Sequence, residues 1–401
     1  MNEIASTIEF QMSLLLFVAL AGYLISSNIN QSAVVGIILA GIAVGPSWLG
    51  LVTYTDFVSS LAHLGAVVLL FTVGLHFKLK DITNIKNFFI ALVGIMLPWI
   101  AGYYLAIYSG FDFGGAIFIG TALTATSIAI TANVLKEMDK LGTDAAKAII
   151  GAAIIDDVLS LLALSISQEI VSGEVSISLI FITILKAAGF LVIGNYFGKF
   201  LATNVITRLD RTRTVHKYPE FIFIFAMMVA FFFSMAAELI GLSAIVGSFL
   251  AGVSLEGTKL ERGLSFREGA EYLQIIFASL FFVSLGVLVD LHALTTELLW
   301  FLLLLTVVAI LTKVIGCGIP ARLYGMDIKD SLIVGFGMSP RGEVAMIIAL
   351  IGLNQNLIKQ DTYIVLILMS LLTTIFTPIV LRNWLYRKNP GNIEPIKKLI
   401  I

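Results

Sequence analysis

The sequence predicts an all-α polytopic membrane protein, on three observations. The chain has 401 residues, 59% of them hydrophobic and 13% charged, with a mean hydropathy of +1.01, far from the balance of a soluble domain. Apolar runs of about 20 residues, the length that crosses about 30 Å of hydrocarbon, follow one another from Phe10 to Leu385. The basic residues, finally, gather in alternate loops. No soluble domain fits between the runs, and neither an enzyme's catalytic set nor a cofactor motif is expected. The net charge of −1 offers nothing to a nucleic acid, and the single cysteine, Cys317, makes neither an intrachain disulfide nor a metal cluster. The first run, FQMSLLLFVALAGYLISSN, lacks a basic flank and is too long for a signal-peptide core, so it is expected to be a retained span.

Breaks at charged, Gly, Pro and Asn clusters divide the chain into thirteen expected segments: 10–28, 32–50, 57–79, 85–108, 113–135, 144–171, 176–206, 219–239, 241–256, 270–290, 293–322, 330–353 and 362–386. The basic residues test this division. Alternate loops, beginning after segment 3, hold Lys78, Lys80 and Lys86; Lys136, Lys140 and Lys147; Lys199, Arg208, Arg211, Arg213 and Lys217; Lys259, Arg262 and Arg267; then Arg322 and Lys329. The C-terminus adds Arg382, Arg387, Lys388, Lys397 and Lys398, whereas the opposite side holds Lys359 alone. Lys186, Lys313 and Arg341 fall inside segments. By the positive-inside rule this predicts an odd number of spans, the N-terminus outside and the C-terminus in the cytoplasm of a cell membrane.

Two segments are expected to be interrupted. Segment 5 contains GTALTATSIAIT (120–131), whose hydroxyls compete with the helical ladder. Segment 12 contains GFGMSPRGEVAM (335–346), with two Gly, a Ser-Pro pair and Arg-Gly-Glu. They stand fifth in segments 1–6 and fifth in segments 8–13, and with segment 7 as linker the two sets run in opposite senses. Interrupted helices at matching positions of inverted halves mark transporter binding sites near the bilayer midplane.

Segment 6 carries GAAIIDDVLSL (151–161), with Asp156 and Asp157 in an apolar run. A charge at that depth costs at least about 2.5 to 3.5 kcal/mol on insertion scales, so it is retained mainly where it functions. Successive helical residues point about 100° apart, so the two carboxylates cannot face one ligand squarely, and two jobs are implied. The plainer alternative is a buried structural ion pair. Lys313, in LTKVIGCGIP, is the natural counter-charge, and Lys186 in the linker is its competitor. Such a cluster titrates as a unit. A hard cation such as Na⁺ prefers oxygen ligands and would displace protons from it, which makes one site with two exclusive occupants, opened to either side in turn. Backbone carbonyls near Thr126 and the hydroxyls of Thr124, Thr126 and Ser127 are candidates to complete an oxygen cage. Arg341 and Glu343 flank the break in segment 12, where they can compensate half-helix dipoles or pair with each other. His76, near the basic end of segment 3, can titrate near neutral pH, although a surface histidine without a role is the plainer reading.

Several stretches together resemble one family, the second large group of monovalent cation/proton antiporters (CPA2), especially its NapA-like members. They are VVGIILAGIAVGPSWLG, LAHLGAVVLLFTVGLHFKLKDI, the Asp156-Asp157 pair, GLSAIVGSFLAG, FFVSLGVLVDL and RGEVAMIIA. The resemblance implies an NhaA/NapA-like fold of 13 transmembrane helices, in two inverted six-helix repeats with crossed discontinuous helices. It implies a homodimer whose dimerisation domain spans 1–79 and 219–290. A core ion-transport domain would span 85–171 and 293–386, with 172–218 as linker helix and 387–401 as a short cytoplasmic tail. It further implies a Na⁺(Li⁺)/H⁺ antiporter in which Asp157 is the principal ion and proton carrier and Asp156 pairs with Lys313 until Na⁺ binds. An Asp-Asp pair marks the electrogenic branch, two protons per Na⁺. Relatives often read Gly-Leu-Glu where this chain has Gly74-Leu75-His76, so any role of that glutamate does not carry over.

Three rival readings frame the expectation. An intramembrane aspartyl protease needs its two aspartates on different helices. A cation channel needs a continuous pore and no buried lysine beside the carboxylates. A K⁺/H⁺ antiporter needs the same residue types as a Na⁺/H⁺ antiporter, and residue types alone leave that choice open.

Overall fold

The computed structural model describes residues 7–78, 84–172, 177–218, 220–258, 260, 266–293 and 296–387. The basic residues at 80, 259, 262, 388, 397 and 398, and the tail they close, lie outside the described residues. Helices account for nearly all the rest: α1 (Ile8–Asn28), α2 (Ala33–Val44), α3 (Asp56–Gly74), α4 (Ile85–Tyr108), α5 (Phe113–Ala122), α6 (Ile128–Glu137), α7 (Asp144–Ser172), α8 (Ile177–Phe200), α9 (Glu220–Leu239), α10 (Ala244–Leu255), α11 (Phe266–Val287), α12 (Thr296–Leu323), α13 (Ile328–Gly337), α14 (Glu343–Asn354) and α15 (Gln360–Val380). Among the described residues nine helices are long and apolar enough to cross a bilayer, and shorter apolar helices accompany them. The chain is a multi-pass, all-helical membrane protein.

Segments 5 and 12 are each two helices, α5 with α6 and α13 with α14, joined by non-helical backbone at 123–127 and 338–342. Both pairs start alike. Asp112 caps α5 and Asp327 caps α13 with the same backbone, φ −69° and ψ 171°, each carboxylate accepting from the amide three residues on. A second likeness escaped the sequence reading. Ser32 and Ser243, at φ −63° and −65°, begin α2 and α10 on the related stretches Ser-Ala-Val-Val-Gly and Ser-Ala-Ile-Val-Gly. Segment 7 is less regular than expected, because α8 gives way to a π turn over Leu201–Ile206. A similar turn, Leu381–Leu385, ends α15.

Helices in lipid gain little from hydrophobic burial against each other, so small residues that admit close packing decide which of them meet. A Cβ on Gly74 of α3 would strike the Phe249 carbonyl of α10, and one on Gly252 of α10 would strike the Phe71 carbonyl of α3. Gly41 of α2 and Gly286 of α11 interlock in the same way. Thus α1, α2, α3, α9, α10 and α11 pack as one group, and α4 to α7 with α12 to α15 as another. Phe17, Ile193 and Trp300 face outward, as lipid-facing side chains do.

Candidate ion-binding site

The non-helical stretches of the two interrupted helices touch. The Ser127 amide donates to the Pro340 carbonyl at 2.8 Å, and the hydroxyls of Thr126 and Thr131 donate to Met338 O and Gly337 O at 3.3 and 2.6 Å. Arg341 is fully buried. Its guanidinium donates to Ala125 O at 2.7 Å, across the other break, and to Ala309 O of α12 at 3.1 Å. Thr373 and Thr374 of α15 hold its backbone. A cation thus sits where α5 leaves carbonyls without helical partners. Glu343 is the first residue of α14, and its side chain lies outside the described ones.

Asp156 and Asp157 sit midway along α7, which packs between α4, α5 and α13. Asp156 has no exposure, and the equally buried Lys313 of α12 donates to its Oδ1 at 2.6 Å. The other oxygen, Oδ2, has no hydrogen-bond partner among the described residues, and the Thr126 side chain lies beside the carboxylate. Lys186, the alternative counter-charge, is exposed on α8. The Thr124 hydroxyl is engaged by Thr121 O at 2.7 Å, while Ser127 packs against Gly342.

Asp157, one residue on, points elsewhere, as the 100° step requires. It lines a cavity of about 630 Å³ between the two helix groups. The walls come from α3 (Ser59, Ala62, His63), the α9–α10 turn (Glu238 and Gly241 to Ala244), the end of α11 (Phe281, Leu285, Leu288), α14 and Tyr363. The cavity lies toward the loop that holds Lys359, away from the basic loops. His63 Nε2 stands 3.3 Å from Glu238 Oε1 in this wall.

At the opposite, basic end a polar network ties the groups together. The Ser32 hydroxyl of α2 donates to Glu137 of α6 at 2.8 Å, Asn133 donates to the same carboxylate, and Gln274 of α11 donates to Asn133. Lys136 reaches Gln274 and, at 3.7 Å, Glu271. His76 belongs here, half-buried, with Nδ1 3.0 Å from Thr72 O and Nε2 3.9 Å from Glu271. Burial, with Arg267 and Lys136 nearby, holds its imidazole below the ordinary value. Sequence reading missed this network and the His63–Glu238 pair; the signal was polar residues within apolar helices, such as Gln274 in YLQIIFASL and Glu238 in MAAEL.

A family profile described as "Sodium/hydrogen exchanger, transmembrane" matches residues 14–386. The chain is 33% identical over 376 residues to the Na⁺/H⁺-K⁺ antiporter GerN of Bacillus cereus, covering 93% of this chain and 95% of that one. It is 34% identical over 338 residues to the high-affinity Na⁺/H⁺ antiporter NhaS3 of Synechocystis, covering 82% and 71%. Its fold is similar to that of the sodium proton antiporter MjNhaP1 from Methanocaldococcus jannaschii, with a TM-score of 0.73 at 15% identity over 94% of this chain and 96% of that one.

Proposed function

The chain belongs to the sodium/hydrogen exchanger family of monovalent cation:proton antiporters, and from that premise we propose that it exchanges Na⁺ or Li⁺ for H⁺ by alternating access, the ions competing at Asp157. The observation that carries this reading is the division of labour between neighbours: Asp156 is sealed against Lys313, while Asp157 is the carboxylate on the cavity. A cation entering the cavity meets Asp157, displaces its proton, and gathers oxygens from Asp156, the Thr126 hydroxyl and the carbonyls of the break; Thr124 and Ser127 complete the candidate set. Drawing Asp156 toward the cation releases Lys313, whose ammonium gives up the second proton. Two protons move for one Na⁺, so each cycle carries one net charge, driven by about 2.3 kcal/mol per 100 mV. Arg341, with Glu343 at the start of α14, offsets the half-helix dipoles so that the breaks persist without a cation.

The same reading assigns residues 1–79 and 219–290 to a dimerisation domain, 85–171 and 293–386 to a moving core, and 172–218 to the linker. It takes the chain as a homodimer in the cell membrane, with 13 spans in two inverted repeats, N-terminus outside and C-terminus in the cytoplasm. The matched Asp caps of α5 and α13 and the matched Ser caps of α2 and α10 support the repeat. In this orientation the cavity opens outward and the Ser32–Glu137–Asn133–Gln274 network closes the inner side. A K⁺/H⁺ antiporter is the second reading, favoured by the name of the GerN relative.

Proteoliposomes holding an acid-inside pH gradient test this. Addition of Na⁺, Li⁺ or K⁺ should collapse the gradient with the wild type and not with Asp157→Ala, and the rate should respond to an imposed potential. A response to K⁺ alone keeps the site and changes the ion. Full activity of Asp157→Ala would remove the mechanism.

A further inference from the structure

The cavity wall carries a histidine–carboxylate pair that this mechanism leaves unused. His63 stands two turns into α3 and Glu238 at the end of α9, so their contact at 3.3 Å joins two elements. Each is about half exposed, at 48% and 52%, and each lines the cavity whose other carboxylate is Asp157. Among the described residues the remaining titratable groups in that lining are the phenols of Tyr54 and Tyr363; the lining residues of α11 and α14 are apolar. A cleft with low-dielectric walls and charge of one sign concentrates the counter-ion. The charge of this cleft depends on His63. With His63 neutral the pair carries the charge of the Glu238 carboxylate; with His63 protonated the pair sums to zero. Protonation of an imidazole adds one positive charge, which a neighbouring carboxylate can cancel.

We propose that Glu238 is a capture point for the transported cation on the cavity side, and that His63 switches it off when protonated. Glu238 holds the cation transiently at the mouth and passes it to Asp157, so it sets the apparent KM for that face and leaves the maximal rate alone. His63 is a positioning residue that donates to Glu238 when protonated and uncovers it when not. The inference rests on the antiporter reading and deepens it.

The test is initial ²²Na⁺ uptake into membrane vesicles of known sidedness, at acid, neutral and alkaline pH, for wild type, Glu238→Gln, His63→Gln and the double variant. At alkaline pH, Glu238→Gln should raise KM about three- to tenfold from the cavity face, with maximal rate and opposite-face KM unchanged. In the presence of His63 this ratio should fall toward one on acidification; in the His63→Gln background it should persist, which separates the effect from proton competition at Asp157. Equal KM for Glu238→Gln and wild type at alkaline pH, or a ratio that ignores pH while His63 is present, overturns the proposal. If Glu238→Gln does not reach the membrane, His63→Gln decides: a KM below wild type at acid pH supports the switch, and an unchanged one refutes it. Failure of the wild type to exchange Na⁺ at all would instead sink the reading beneath.

Discussion

Replacing Lys313 by alanine tests the most concentrated electrostatic feature of the fold. Lys313 and Asp156 are both fully buried and 2.6 Å apart. Asp156 Oδ2 has no hydrogen-bond partner among the described residues even with Lys313 present, so removing the ammonium also takes the bond to the other oxygen. Breaking a buried pair by removing one partner costs about 3 to 5 kcal/mol, because an uncompensated charge stays behind. With the unfolding entropy usual per residue, this amounts to a fall of about 5 °C in midpoint for a chain of this length. The double variant Lys313→Met with Asp156→Asn removes both charges, and apolar replacement of a buried pair is often neutral or better. It should melt within about 2 °C of wild type. The assay is thermal unfolding of detergent-purified protein, followed by the fluorescence of a fused reporter after removal of aggregate. Two results would refute the reasoning: Lys313→Ala melting with the wild type, or the double variant melting no higher than Lys313→Ala.

Arg341→Ala deletes a fully buried guanidinium that serves Ala125 O and Ala309 O in two different elements, so it should lose at least about 3 kcal/mol and show the lowest melting point of the set; a wild-type melting curve would contradict this. Gly94→Ala places a methyl against Cys317 Sγ, with Lys313 Nζ at 3.9 Å from it. Overpacking there should cost about 1 to 3 kcal/mol, read from the same assay. The Cys317 thiol itself, without exposure, should resist a maleimide–polyethylene glycol reagent in folded protein and react on denaturation, as a gel shift would report. His76 is held below its ordinary value by burial, so as pH falls the unfolded chain takes up the proton first. This stability is present above about pH 6.5 and is lost below it. Melting points of wild type and His76→Gln, measured across pH, should diverge on the acid side with the variant the more stable; parallel curves would show that His76 is not the group responsible.

Membrane class and helix interruptions were legible because each depends on local composition. About 20 apolar residues in a row satisfy the bilayer wherever they fall in a fold, and Ser-Pro-Arg-Gly disrupts a helical ladder in any context. The irregular end of segment 7 was not legible, since its π turn leaves no compositional mark at Leu201–Ile206. The site divides in the same way. Asp156, Asp157, Lys313 and Arg341 stood out as charges in apolar runs, whereas Glu238 and Gln274 each read as one polar residue in a helix.

By itself, then, the sequence determined that this chain crosses a membrane many times, where two of its helices break, and which buried charges needed a reason. It also required the two adjacent carboxylates to point apart, because a helix turns 100° per residue. Helix geometry alone leaves open which of the two carboxylates meets Lys313, and the tertiary structure puts Asp156 there and Asp157 on the cavity. It likewise decided that Arg341 reaches the opposite break and that His63 faces Glu238. The physical reason is range. A residue's transfer free energy belongs to the residue, but Lys313 and Asp156 are 157 positions apart, and their contact depends on how α4, α7 and α12 pack at their small residues.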